Sequence, residues 1–394
     1  MHFPLKWLNH WAFFFVSASL QACSPSYSYK EKAVPEPVQL SPRLSALFSK
    51  TKLVCFGRYA LEVPQEAQLI WGNASFPSKL EVFSGGLDEI KHRVDEDIAK
   101  LKHENKTAEI RYSQAGPIEG SWQIRYHPSR NAKSEGLYFF NTYINKGDFT
   151  FRLGGSVADG ESEDAAATRE AMRARSLHLR TPDKIPAEPG FCIEHGYIAD
   201  MEYADQEMIS IGIAIPSLPD ISFSVTSNKN AYSDYSLDEF DKTQRAKLSL
   251  LSRIQAAKED QGAHYPSRTV LREGKRDVQH WHGEESLIRR TDGTHDFEWA
   301  LVGTPKEVAN PSEFGAQMYT KVEHNTIGAA NAASLSDEEA VALWDKLLSG
   351  LKFRVKVPKA PEGSYFMPSS KSKTTLQDSD LWIAPPFKNE QDKQ

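Results

Sequence analysis

His280-Trp281-His282-Gly283-Glu284-Glu285 holds the residue types and spacing that come closest to chemistry. If His280 and His282 share one strand, they project from the same face, as ligands of zinc or copper do. A metal site also needs a third and fourth ligand and partners that orient them. The other reading makes both histidines solvent-facing neighbours of a core Trp281. Glu284 and Glu285 would face opposite sides of a strand and cannot share a proton, so a solvated turn is their expected home. Gly154-Gly155-Ser156-Val157-Ala158 approaches the Gly-x-Ser-x-Gly nucleophile elbow but lacks its last glycine, and the strand before it reads as half of an antiparallel hairpin. No Walker loop, dinucleotide fingerprint, His-Glu-x-x-His or Cys-x-x-Cys occurs. The weight therefore moves from catalysis to binding, with no cofactor and no metal expected. A metal-dependent or serine hydrolase built on His280, His282 or Ser156 stands as the alternative.

Three cysteines define the compartment. Lys6, the apolar run Trp11 to Leu20 and Ala22 form an export signal over residues 1–22, its apolar core shorter than the roughly 20 residues of a membrane-spanning helix. Leu20-Gln21-Ala22-Cys23 resembles the lipobox of bacterial lipoproteins, in which the cysteine is acylated after cleavage, although Gln21 departs from the usual small or β-branched residue. That resemblance implies a lipid anchor on Cys23, with Ser24 favouring the outer membrane, and a flexible tether over residues 23–45. Cys55 and Cys192 remain. In an oxidising periplasm they allow one pairing, worth very roughly 5 kcal/mol by chain entropy. The alternative is two buried free thiols.

The chain has 394 residues, 40% of them hydrophobic, which is long for one core and suits two domains. With 47 basic and 53 acidic residues and a formal charge of -6, nothing marks a phosphate-binding face, so nucleic acid is excluded as an expected partner. Three prolines between Pro182 and Pro189 prevent a helix or paired strand from running through. This stretch reads as a linker, residues 182–190. The expected layout is an N-terminal domain over 46–181, a C-terminal domain over 191–360 and a disordered tail over 361–394.

The elements around the linker repeat. Leu177-His178-Leu179-Arg180 and Leu351-Lys352-Phe353-Arg354 both follow a helical segment, and Val54-Cys55-Phe56 resembles Phe191-Cys192-Ile193. In the first half, strands are expected over Leu53–Val63, Leu80–Phe83, Ala108–Tyr112, Ser121–His127, Leu137–Asn145 and Phe149–Gly154. The last two join at Lys146-Gly147-Asp148. Leu87, Ile90, Val94, Ile98 and Leu101 recur at helical spacing, and an Ala-rich helix follows the acidic loop Asp159 to Asp164. The second half repeats the order: strands over Met208–Ile215, Ile221–Val225, Asp277–Trp281, Ser286–Arg290 and Asp296–Val302, with two capping boxes, at Ser236 and Ser336, opening helices. The second of these buries Ala340, Trp344, Leu347, Leu348 and Leu351 on one stripe and ends at Gly350. The fold class is α+β: two similar domains, each an antiparallel sheet packed with helices, joined by the Pro-rich linker.

Cys55-Phe56-Gly57-Arg58-Tyr59 with Leu61-Glu62-Val63-Pro64, then Pro189-Gly190-Phe191-Cys192 with Gly196-Tyr197-Ile198, Gly283-Glu284-Glu285, and Leu343 to Phe353 carry a family likeness. In their order and spacing, over Leu53 to Pro358, they resemble the type VI secretion immunity proteins that neutralise class-four phospholipase effectors. The resemblance implies a periplasmic, non-catalytic antidote whose two α+β domains grip a secreted α/β-hydrolase lipase and keep its lid and substrate cleft from working. For the contact surface, composition points to Tyr232, Asp234 and Tyr235, aromatic area beside charge, and to the acidic Asp159 and Glu161, which suit a basic rim. A plain solvated loop is the competing reading of each. A structural outer-membrane lipoprotein with no toxin partner is the third reading of the whole chain.

Overall fold

Thr51–Phe56 (β1) and Tyr59–Pro64 (β2) form an antiparallel hairpin where the hydrophobic pattern suggests one strand over Leu53–Val63. Gly57, at φ +51°, breaks the run: it takes the left-handed backbone that a two-residue turn requires and that side-chain-bearing residues resist. The computed structural model describes residues 39–157, 160–231, 247–320 and 332–368, all within the unit Lys32–Gln394. The capping box at Ser236 lies outside them.

After the hairpin come Gln68–Ser75 (β3), Lys79–Ser84 (β4), the amphipathic helix Leu87–Glu104 and a four-stranded meander. The meander is Glu109–Ala115 (β5), Ser121–His127 (β6), Phe139–Lys146 (β7) and Phe149–Ser156 (β8). The helix Glu163–Ser176 and the short strand Leu177–Leu179 (β9) close the half. The second half runs through the same series. Gly190–Ile193 (β10) and Gly196–Ala199 (β11) form its hairpin, followed by Met208–Ala214 (β12), Ile221–Asn228 (β13) and the helix Leu250–Gln261. Its meander is Arg268–Val278 (β14), Trp281–Arg290 (β15), His295–Leu301 (β16) and Glu313–Thr320 (β17), closed by the helix Asp337–Ser349 and Leu351–Val355 (β18). The fold is α+β and sheet-dominated.

The halves share one twelve-stranded sheet, ordered β14-β15-β16-β17-β13-β12-β3-β4-β8-β7-β6-β5. Read outward from the central pair β12 and β3, the two sides have the same order, so the second half is the first repeated in a two-fold relation. The two hairpins extend this symmetry by exchange. β9 pairs with β11 of the other half, Leu177 opposite Ile198, while β18 pairs with β2, Leu351 opposite Leu61. Neither half completes its small sheet alone.

One apolar core runs through both halves. It joins Phe56, Leu61 and Ile144 to Ile211, Phe223, Trp281, Trp299 and Trp344. Each fully buried side chain of this size contributes about 1.5–3 kcal/mol. Ala340, Trp344, Leu347 and Leu348 are buried along the helix, whereas Leu351, expected on the same stripe, is buried as the first residue of β18, and Ser336 with Glu339 forms the expected capping box. Gly350 stands at the helix end with a right-handed φ of −81°. A Cβ there would lie 2.9 Å from the Glu62 carbonyl, so close approach to β2, rather than a left-handed cap, is what demands glycine.

Order extends further at both ends than composition suggests. Pro42–Leu47 is a helix with Leu44 buried, beginning inside the stretch expected as tether, and Tyr365–Met367 (β19) pairs in parallel with β18, inside the expected tail. The first helix is tied down by Arg43 and Ser41, whose Nε and Oγ donate to Glu339 at 2.7 and 2.8 Å. The Arg43 hydrogen bond holds the Glu339 carboxyl at about 2, below its ordinary 4.5. This link contributes stability above about pH 4.5 and loses it as pH falls through about 2. Over that window the protection of the amides in Leu44 to Phe48, relative to their intrinsic exchange rates, is expected to fall first. Protection there that does not change between pH 5 and 2 would contradict it.

Candidate functional site

The halves meet where β1 and β10 lie side by side. Gly57 N–H donates to the Cys192 carbonyl and Cys192 N–H to the Gly57 carbonyl, both at 2.8 Å. Cys55 and Cys192 are bridged, Cα to Cα 5.9 Å, with neither exposed and with Tyr197 and Ile185 packed around them. The free-thiol alternative is set aside. The bridge links corresponding strands of the two repeats and leaves no thiolate for chemistry there.

Around the bridge lie buried arginines. Arg58 sits in the β1–β2 turn, and its Nε and Nη2 donate to Glu207 at 3.0 and 2.7 Å; Nη1 donates to the Asp200 carbonyl at 3.0 Å. It also pairs with the Asp200 carboxylate and stacks 4.5 Å from the Tyr203 ring centroid. Lys229 adds a second cation to Glu207 at 3.3 Å. Burial alone would lower the Arg58 pKa, but Glu207 and Asp200 more than reverse it and hold the guanidinium charged. Burial pushes the neighbouring Tyr59 phenol up, and its hydroxyl lies 2.9 Å from Ser227 Oγ.

Arg180 and Arg354 occupy equivalent places, one residue beyond β9 and on β18. Arg180 N–H donates to the His195 carbonyl and Arg354 N–H to that of Arg58, both at 2.9 Å. Their guanidinia bind the Pro-rich connection. Arg354 donates to the carbonyls of Glu188 at 2.8 Å, Gly190 at 3.0 Å and Pro186, while Arg180 reaches Lys184 and Pro182 at 3.3 and 3.2 Å. Burial, then the charge of Arg354, brings Arg180 down to about 10. Residues 180–189 have no regular structure, as the prolines require, but their carbonyls solvate two buried cations. The connection is a strap. Chemically this junction positions: Glu207 and Asp200 each face a cation, and the paired hairpins hold the two meanders at a fixed relation.

The stretch with His280 and His282 is arranged otherwise than a one-strand reading requires. Trp281 begins β15, so His280 lies in the turn after β14, its Nε2 3.0 Å from the Ala309 carbonyl, whereas the exposed His282 lies 2.9 Å from Asp277. Of the two, only His282 lies on β15. Among the described residues no group of three His, Cys, Asp or Glu side chains could hold a metal ion. Glu284 and Glu285 do face opposite ways, but on β15 and not in a solvated turn: Glu284 accepts from Leu251 N–H at 2.8 Å, and buried Glu285 accepts from Arg272 Nε at 2.5 Å. Arg272 also donates to Asp345 at 3.0 Å. Ser156 ends an antiparallel strand, and its carbonyl accepts from Arg169 at 2.7 Å, so the elbow geometry is absent. Glu161 pairs with Arg169 at 2.8 Å. Cys23, Asp159, Tyr232, Asp234 and Tyr235 lie outside the described residues. Sequence reasoning passed over the buried arginines. Their signal was the Arg that ends both Leu177-His178-Leu179-Arg180 and Leu351-Lys352-Phe353-Arg354, at corresponding points of the repeat.

Known proteins match this architecture. Two family models fit the chain in succession, the N-terminal domain of Tle cognate immunity protein 4 over residues 52–185 and its C-terminal domain over 184–356. A search of curated proteins returns no match. Among solved structures, the apo immunity protein TplEi of the type VI secretion system of Pseudomonas aeruginosa is similar, with TM-score 0.59 and 23% identity, over 77% of this chain and 97% of that one. A chain of the Tle4–Tli4 complex is similar with TM-score 0.57 and 24% identity, over the same shares. These two share the fold. With both family models matched in order across 52–356, the chain belongs to the Tle cognate immunity protein 4 family, the non-enzymatic immunity proteins of type VI secretion.

Proposed function

We propose that this protein is exported to the periplasm, is held at the outer membrane by lipid on Cys23, and neutralises one cognate type VI secreted phospholipase by covering its lid and substrate cleft. The observation that carries this reading is the succession of the two family models along residues 52–356. Three others support it. Residues 1–22 read as an export signal, with the lipobox-like tetrad Leu20-Gln21-Ala22-Cys23 at their end. A fully buried disulfide suits an oxidising compartment. A similar chain has been solved in a Tle4–Tli4 complex. Tyr232, Asp234, Tyr235, Asp159 and Glu161 are proposed as contacts at the rim.

The test is protection of cells that lack the gene and are exposed to the effector. The full-length protein restores survival, Cys23→Ser restores it less well, and a form beginning at residue 24, retained in the cytoplasm, does not. Equal protection by the cytoplasmic form would overturn the export reading.

A further inference from the structure

Beside the helix Leu250–Gln261, at the end of β14 and β15, opens a cleft of about 570 Å³ lined by Tyr265, Arg268, Arg290, Asp292, Asp296 and Glu298 among others. Its carboxylates are already engaged. Asp292 accepts from the Thr294 hydroxyl at 2.7 Å, Asp296 from Arg290 at 2.5 Å and Glu298 from Arg253 at 3.0 Å. Arg268 differs from all of them. Its guanidinium stacks on Tyr265, 3.9 Å from the ring centroid, and its buried Nε has no hydrogen-bond partner. Among the described residues no carboxylate lies within ion-pairing distance of it.

A planar cation that is partly desolvated, fixed by an aromatic face and left with open donors is a receptor for a planar anion. Guanidinium and carboxylate match in a two-pronged arrangement, and arginine and tyrosine are the residues most often central to protein interfaces. Arg290 and Arg253 are each paired with a carboxylate and Asp292 is held by Thr294, which leaves Arg268 as the lining arginine without an ion pair. We propose that this cleft receives an aspartate or glutamate side chain of the bound effector, with Arg268 as its anchor and Tyr265 holding the guanidinium in place. The inference rests on the immunity reading above and adds a specific contact to it.

The test compares wild type, Arg268→Lys and Arg268→Glu for binding to the purified cognate effector, with thermal unfolding of each. Loss of a buried interfacial charge pair corresponds to roughly thirtyfold or more in affinity, seen mainly as faster dissociation. Arg268→Glu is expected to weaken binding by at least that factor and Arg268→Lys by less, since lysine keeps the charge without the fork. Both should unfold with the wild type, because Arg268 has no internal ion pair to lose. An effector variant with the matching acid changed to lysine should recover binding to Arg268→Glu. Wild-type affinity in Arg268→Glu overturns the proposal and leaves the immunity reading intact. Failure of the wild-type protein to bind the effector overturns both.

Discussion

Changing Cys55 and Cys192 together to alanine is expected to lower stability by about 5 kcal/mol, the chain-entropy value for a bridge between residues 137 apart in sequence. The size follows from position. The bridge connects the opening hairpin of one repeat to that of the other, so without it the unfolded chain regains nearly the freedom of two independent halves. A urea melt of the double variant should show a midpoint well below that of the oxidised wild type. A reductant added to the folded wild type should act slowly, since neither sulfur is exposed. An unchanged midpoint in the double variant would show that the exchanged strands and the core hold the halves together without help.

The second large effect is expected at Arg58. Its removal leaves Glu207 and Asp200 facing a buried site with Lys229 as the remaining cation near Glu207. Breaking a buried pair from one side costs about 3–5 kcal/mol, because the abandoned charge keeps its desolvation penalty. Arg58→Ala should therefore destabilise by that amount. Adding Glu207→Gln should recover part of the loss, so the pair would be non-additive in a double-mutant cycle. Additive losses at the two positions would mean that the ion pair does not couple the hairpin to the segment leading into β12.

The repeat was legible in the hydrophobic pattern because its closing strands carry the same alternation and each follows a helical segment. Residues 121–127 and the turn at Gly147 follow directly from that pattern. What the pattern does not contain is which strands pair. The exchange of β9 and β18 places Leu177 against Ile198 and Leu351 against Leu61, contacts between residues whose apolar character suits many partners. β3 and β17 passed unnoticed for a related reason. Gln68–Ser75 and Glu313–Thr320 are both interrupted by glycine, at Gly72 and Gly315, and both strands keep exposed positions along their length.

The site was legible in part. The disulfide followed from two cysteines in matching contexts, and the binding role from the absence of catalytic motifs together with the family likeness. Buried charge is what composition conceals. Glu285, expected in a turn, is fully buried because Arg272 arrives from the adjacent strand and the Trp344 indole N–H from a helix, a meeting that only the tertiary fold arranges. His280 and His282 mislead in the opposite sense, since a turn at Gln279 and His280 falls inside the stretch Asp277–Trp281 that the pattern presents as one strand.

Titrating the cognate phospholipase with the purified protein, while following lipid hydrolysis, tests the central claim most directly. Activity is expected to fall linearly to near zero at one protein per enzyme, and the protein alone should release no fatty acid. Full lipase activity in molar excess of the protein, or hydrolysis by the protein itself, would contradict it.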